Sequence, residues 1–509
     1  MKLHLTGCTV RTLDPAAPLA DSIAVEGDLV AGAPAPDARR IELGGACVVP
    51  GFTDSHVHFP TWSLGLRQAR LEDARSLDEA LERVVAALGT ISPGGWLRGL
   101  GWRDGDWPER PSRAALDRVV PDVPVALMSK DYHSLWLNSA ALARADAPLE
   151  TEGGVVELDE AGEPLGVLRE NAAWSFRDRY VRPGVAEMLE AVRAAMPVAS
   201  ARGVTAVHDK DGWLGAFEVY ERLEEAGELD LRVWQSFPWA LLEELSALGL
   251  RSGFGSELLR MGYLKGFMDG TLGSATALLL DGSGVQITSG AQLADVVRRA
   301  AAAHWPVAVH AIGDAANRAA LDAFEETRPA WQPAGLRPRI EHAQLLAPED
   351  VERFARIGVS ASVQFSHAPS DRDLADRLWE GREGAYAYRS LLDAGAVLAN
   401  GSDAPVEELD PLAGISAGVI RTIDERPGWR PEQAVTVEEA LHATCVLPAW
   451  LEHQEHRRGR LRPGMLADLV VLDRDPVKCP PAELSELRVL ATMLAGRFTY
   501  VADDGPVGT

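Results

Sequence analysis

Cys47-Val48-Val49-Pro50-Gly51-Phe52-Thr53-Asp54-Ser55-His56-Val57-His58 is a short apolar run that ends in two histidines two residues apart. Side chains alternate faces along an extended strand, so positions i and i+2 share one, and both imidazoles point the same way. That spacing allows chelation, although an isolated pair is as compatible with packing. Two further histidines close apolar runs downstream, in Val307-Ala308-Val309-His310 and Arg339-Ile340-Glu341-His342. The C-terminal ends of parallel barrel strands are where active-site residues collect, and four histidines in such settings point to one shared site.

Outward from these runs the chain alternates short β-branched segments with Ala/Leu/Glu/Arg-rich helical ones, the pattern of βα units around a parallel sheet. Expected strands are Gly203–His208, Leu231–Ser236, Gly262–Phe267, Pro306–His310, Arg339–His342, Gly358–Val363 and Ala396–Asn400. With Cys47–Phe52 as the first, eight strands close a TIM-type (β/α)8 barrel in the α/β class. The barrel is expected to occupy residues 51–455. Residues 59–198 are too long for a βα loop and read as an inserted subdomain or lid over the barrel mouth. Residues 1–50 and 456–509 carry short strands and turns, including Arg462-Pro463-Gly464 before Ala467-Asp468-Leu469-Val470-Val471-Leu472, and are expected to pair into a small β-sandwich.

The 509 residues include 50 basic and 75 acidic ones, a formal charge of −25, with no basic block, which disfavours nucleic acid and anionic membranes as partners. A small-molecule substrate fits this balance, and a homo-oligomer is left open. No apolar stretch is long enough to span a bilayer, and the start of the chain has no signal-like core, so a cytoplasmic location is expected. Four cysteines without a CxxC pair make neither a disulfide framework nor a thiolate metal site.

Lysine usage is informative. Only five lysines stand against 45 arginines, yet Lys265 falls inside the apolar run Tyr263-Leu264-Lys265-Gly266-Phe267. An unpaired ammonium there is costly, so Lys265 needs a specific partner or a changed charge, through amine chemistry that arginine cannot perform. Asp403 follows the last strand in Asn400-Gly401-Ser402-Asp403-Ala404-Pro405, where a carboxylate can ligate a metal and exchange a proton with water, or cap the next helix.

Taken in order, an HxH pair, a strand lysine, two strand-end histidines and a final aspartate resemble the amidohydrolase superfamily. The phrases Lys265-Gly266-Phe267-Met268-Asp269-Gly270-Thr271-Leu272-Gly273-Ser274, His310-Ala311-Ile312-Gly313-Asp314, Arg339-Ile340-Glu341-His342-Ala343-Gln344, Gly401-Ser402-Asp403-Ala404-Pro405-Val406 and His133-Ser134-Leu135-Trp136-Leu137-Asn138-Ser139 are similar to its amidohydrolase-3 branch, which includes N-substituted formamide deformylases. The resemblance implies one metal held by His56, His58 and Asp403, a second by His310 and His342, and a carboxylated Lys265, a carbamate formed with carbon dioxide, bridging them. It implies zinc, which imidazole and carboxylate ligands also suit on general grounds. Where relatives often carry arginine this chain has Ala275 and Ala315, and Phe365 stands where proline is common; all three are expected near the substrate pocket.

The activity implied is hydrolysis of a C–N amide-type bond, as in an N-acyl or N-formyl amine. The metal lowers the pKa of bound water from about 15.7 toward about 7, the resulting hydroxide attacks the carbonyl, and Asp403 shuttles the proton to the leaving amine. Hydrolytic deamination of a heterocycle and a catalytically silent metal-binding protein are the alternatives. His133, His208 and His367 are expected to bind substrate oxygens or steady the ligands, and Lys210, Asp269 and Trp102 to meet the substrate. Lys210 either presents a cation to an anionic substrate group or pairs with Asp209, Asp211 or another local carboxylate. Six of fourteen tryptophans (Trp62, Trp96, Trp102, Trp107, Trp136, Trp174) lie in the insertion, as pocket lining or as core.

Overall fold

Gly51 divides the opening apolar run between two sheets. The computed structural model describes residues 1–90, 95–103 and 107–507. Cys47–Pro50 pairs antiparallel with Leu469–Leu472 and parallel with Thr9–Arg11, outside the barrel. The first barrel strand begins after it, as β1 (Phe52–Val57). This corrects the expectation that Cys47–Phe52 is the barrel strand. The two segments form one continuous apolar run, and only the glycine, whose Cβ would lie 2.3 Å from Thr205 Oγ1, marks the division.

Seven more parallel strands follow: β2 (Val204–Asp209), β3 (Arg232–Pro238), β4 (Leu259–Phe267), β5 (Val307–Ala311), β6 (Arg339–His342), β7 (Ser360–Val363) and β8 (Leu398–Asn400). They lie in chain order in one eight-stranded sheet, a TIM-type α/β barrel. Polar bonds lace the seam between β8 and β1. The Asp403 N–H donates to the His56 carbonyl at 2.7 Å and the His58 N–H to the Ala404 carbonyl at 2.9 Å. The buried Asp54 carboxylate accepts the Ser402 N–H at 3.0 and 3.1 Å and the His56 N–H at 3.1 Å. A Cβ at Gly401 would sit 2.4 Å from the His56 nitrogen, so glycine is what permits the approach.

Amphipathic helices cover the strands. The helix Asp314–Trp331 buries Ala316, Ala320, Leu321, Ala323, Phe324, Thr327 and Trp331, one face at helical spacing, and carries Asp314 in its first turn, where the helix dipole favours an anion. Gly290–Ala302 starts from a Ser289/Gln292 capping box.

Within the expected insertion, Ala69–Glu170 supplies a separate six-stranded mixed sheet. The helix Val185–Ala201 belongs to the barrel instead: Met188, Ala191, Val192, Ala195 and Ala199 pack with Val57, Val204, Tyr220 and Leu223. The chain ends build a four-stranded and a six-stranded sheet that share one core of Leu3, Leu5, Val25, Ile41, Val471 and Met493. All four cysteines are free thiols. Among the described residues no helix is long and apolar enough to cross a membrane.

The tight seam makes a definite demand. Gly401→Ala forces a Cβ into backbone and is expected to lower the apparent melting temperature by about 4 °C or more, read by thermal unfolding of purified protein. An unchanged melting temperature would show that the seam yields freely.

Candidate metal centre

The strand ends of the barrel deliver the sequence-marked residues to one place. His56 ends β1 one residue before its last, and His58 follows the strand; His310 lies in β5, His342 ends β6, and Asp403 comes three residues after β8. His56, His310, His342, Asp403 and Lys265 are buried, and His58 is partly so. Asp403 Oδ1 lies 3.3 Å from His56 Nε2 and 3.7 Å from His58 Nε2. Its Oδ2 lies 3.8 Å from His342 Nδ1 and from His367 Nε2. The His310 and His342 ring centres are 4.7 Å apart, as are those of His56 and His342. His342 (φ 74°) and Asp403 (φ 59°) both adopt left-handed backbone, a cost that non-glycine residues bear chiefly where a side chain must be aimed.

His56 and His58, whose Nε2 atoms face Asp403, have the other ring nitrogen held, and His342 is held through Nδ1, its nitrogen nearest Asp403. His56 Nδ1 bonds Glu341 at 2.8 Å, His58 Nδ1 bonds Asp211 at 2.7 Å, and His342 Nδ1 bonds Gln364 Oε1 at 2.8 Å. Such partners fix ring orientation and tautomer behind metal-ligating imidazoles. Burial holds His56, His310 and His342 well below the usual histidine range, so their rings are neutral. Ligand atoms of His56, His342 and Asp403 lie within 4.8 Å of one another. Neutral, oriented imidazoles around a buried carboxylate fit a divalent cation, which would also offset the burial cost that raises the Asp403 pKa.

Lys265 sits among these groups without an ion-pair partner among the described residues. Its Nζ reaches only the Gly266 carbonyl, at 3.5 Å, lies 4.2 Å over the Phe267 ring, and is pushed by burial down to about 8. Lys210 pairs with Glu341 at 3.2 Å, a carboxylate from β6 and not a local one, and burial and Arg339 hold it down at about 7. Glu341 is thus a hub, taking His56, Lys210 and, at 2.8 Å, Arg339.

A cavity of about 510 Å³ opens above, bordered by His56, His58, Lys265, His310, His342 and Asp403 and also by His133, Lys210, His367 and Trp102. Two of the expected residues, His208 and Asp269, do not line the cavity. His208 is fully buried and outside the cavity lining: alternation along β2 gives it the side of Lys210, which borders the cavity, but it lies two residues earlier, where its Nδ1 accepts from Arg339 at 2.9 Å and its Nε2 donates to Glu452 at 2.6 Å. Asp269 is likewise off the cavity wall, accepting the N–H groups of Leu278, Ile312 and Gly313 at 2.9, 3.0 and 2.9 Å, and so pins the loops beside His310. Trp102 borders the cavity but is only 1% exposed, its indole N–H bonded to the Leu127 carbonyl and its ring against Trp136. Trp62, Trp107 and Trp136 are core, whereas Trp174 and, outside the insertion, Trp213 face the cavity. Ala275, Ala315 and Phe365 are not part of its lining.

Glu341, Asp211, Gln364 and Glu170 were not singled out from sequence. A signal existed for Glu341: a carboxylate inside the four-residue, wholly buried strand β6 must be paired. Asp211 and Gln364 give no such signal, because their histidine partners are 153 and 22 residues away.

A model of the amidohydrolase family matches residues 39–500, nearly the whole chain. The chain belongs to the amidohydrolase family, in its amidohydrolase-3 branch. It is 33% identical to the protein LONG AFTER FAR-RED 3 of Arabidopsis thaliana, covering 98% of this chain and 91% of that one. It is 30% identical to the N-substituted formamide deformylase of Arthrobacter pascens, over 98% of each chain. Among solved structures, an uncharacterized metal-dependent hydrolase from Pyrococcus furiosus is 28% identical with a TM-score of 0.74, covering 94% of this chain and all of that one. The chain is therefore a metal-dependent hydrolase of this family.

Glu341→Gln removes the anion behind His56 while keeping the side-chain shape. It is expected to weaken divalent-metal binding about 10- to 100-fold in competition with a chromophoric chelator. Undiminished affinity would separate Glu341 from the metal centre.

Proposed function

We propose that the protein hydrolyses the C–N bond of an N-formyl or N-acyl amine at a zinc-type centre held by His56, His58, His310, His342, Asp403 and a carboxylated Lys265. The observation that carries this reading is the Asp403 carboxylate, buried at the cavity floor within 3.3–3.8 Å of nitrogens from four histidines. The name of the Arthrobacter pascens relative supports the choice of bond. A bound divalent ion supplies Lewis acidity toward water and toward a carbonyl oxygen.

The chain's own groups handle the proton. Asp403 accepts it as water oxygen bonds to the acyl carbon, and returns it to nitrogen as the C–N bond breaks, releasing an amine and a carboxylic acid. Burial raises the Asp403 pKa, which brings the carboxylate closer to the proton affinity this task requires. The aromatic wall of Trp174, Phe267 and Trp213 is available to an apolar substituent.

Lys265 supports a carbamate on physical grounds. A buried amine without an anionic partner is poorly held as an ammonium. As a free base it adds to carbon dioxide and releases one proton, which turns a cation into a carboxylate able to face metal ions. Arginine has no such chemistry.

In the direct test, metal-replete protein is assayed for amine release from a panel of N-formyl and N-acyl amines and for ammonia release from purines and pyrimidines. Amide hydrolysis that disappears on chelation and returns with zinc is expected, together with a loss of at least about 100-fold in kcat in metal-replete Asp403→Asn. Ring deamination without amidase activity overturns the reading, as does activity that survives verified metal removal. Lys265→Ala is expected to lose one metal equivalent by elemental analysis and to regain it with a short carboxylic acid in solution. Full metal content in that variant counts against the carbamate.

A further inference from the structure

We propose that Arg177, laid flat on Trp213, binds a carboxylate at the far end of the substrate's nitrogen substituent, so that the enzyme selects amides of amines whose apolar chain or ring ends in an acid. This rests on the amide-hydrolase reading above.

The helix Asn171–Phe176 follows the inserted sheet and widens into a π-helical turn, Arg177–Val181, a form that recurs at functional sites. Trp174 and Arg177, three residues apart, both border the cavity. The Arg177 guanidinium stacks on Trp213, its Cζ 3.5 Å from the ring centre, and its side chain is only 17% exposed. The indole beneath it is fixed in turn: its N–H donates to Asp211 Oδ1 at 3.0 Å, the same oxygen that holds His58 Nδ1 at 2.7 Å. The cation is thus registered against His58 before any substrate arrives, and the rotamer freedom that recognition would otherwise remove is already gone.

Only one edge of that guanidinium is engaged. Its Nε–H donates to Asp178 at 2.8 Å, and among the described residues neither Nη group has a hydrogen-bond partner. The Asp178 side chain is 41% exposed, so solvent screens its hold on the cation. Two other cations of the cavity wall are already paired, Lys210 with Glu341 at 3.2 Å and Lys130 with Glu407 at 2.7 Å, and Arg377 stands exposed. Unengaged N–H groups on a planar, largely desolvated guanidinium match the two oxygens of a carboxylate. Trp174 packs against Phe267 at 5.4 Å, centre to centre, and Phe267 lies 5.2 Å from His310, which lays an apolar wall along the cavity between the metal centre and the helix of Arg177. The acid therefore sits beyond an apolar spacer, not on the carbon next to the scissile nitrogen.

The experiment compares kcat/KM for formyl and acetyl amides of ω-amino acids, starting from glycine and lengthening the chain one methylene at a time, with the matching carboxamides, which keep the shape and lose the charge. Wild type, Arg177→Gln and Arg177→Lys are assayed with metal content measured. At the best chain length wild type is expected to prefer the carboxylate by about 30-fold or more, as charge-assisted bonds in a desolvated site allow. In Arg177→Gln the ratio falls toward one, and in Arg177→Lys, which keeps the charge without the fork, it falls at least about 3-fold. A wild-type ratio near one at every length overturns the proposal, as does the full wild-type ratio in either variant or a preference confined to the glycine derivatives. Absence of turnover of every amide, neutral or charged, overturns the parent reading and this one with it, whereas turnover of the neutral amides with no preference for the acids overturns this one alone.

Discussion

The lacing of β8 to β1 is the constraint on which the site depends. An eight-stranded sheet closes only if its first and last strands meet, and here the meeting is made by polar bonds from the segment that carries Asp403 to the segment that carries His56 and His58. The Asp403 N–H bond to the His56 carbonyl fixes the backbone of both residues with one interaction. Asp54 then takes up the neighbouring N–H groups that curvature at the seam leaves without strand partners. The distance between the Asp403 carboxylate and two imidazoles is thereby set by barrel closure and not by flexible side chains.

Behind the ligands lies a buried ionic chain. Glu341 meets His56, Lys210 and Arg339; Arg339 meets His208; His208 meets Glu452, which also binds Arg458. Burying charge is expensive unless every member is paired, and loss of one member strands the others. This network therefore adds little net stability but holds few alternative arrangements, a property suited to aiming ligands. It also explains His208. The residue looked like a substrate contact because it ends a strand, yet it serves below the cavity as a relay between β6 and the C-terminal segment.

The barrel was legible because its signal is periodic and local. Seven of the eight expected strands coincide with observed ones over most of their length, since an apolar β-branched run bounded by turns has few other fates, and the eighth shares only Phe52. The gathering of His56, His58, Lys265, His310, His342 and Asp403 around one cavity was legible for a related reason: strand ends are marked in sequence, and His, Lys and Asp there have few structural uses. The first strand was misjudged because two strands of different sheets adjoin across one glycine. Glu170, Gln364 and Asp211 were missed because nothing near them in sequence announces a partner that tertiary folding supplies. His208 and Asp269 show the converse, chemistry-bearing residues near strand ends that lie outside the cavity lining and serve other side chains or backbone.

The inserted sheet is joined to the loop after β4 through hydroxyl–carboxylate bonds. Asp131 takes Thr271 and Ser274, and Glu170 takes Thr276, all from the loop that follows the strand of Lys265. Short side chains lose little rotamer freedom when fixed, so such bonds set the relative position of the two units closely. The same loop touches the metal-site side through the Gly270 carbonyl, 3.0 Å from His310 Nε2. One loop thus registers the insertion's cavity wall against His310 of the barrel. A wall so pinned behaves as a fixed half of the cavity, and selection among substrates then rests on which groups that wall presents.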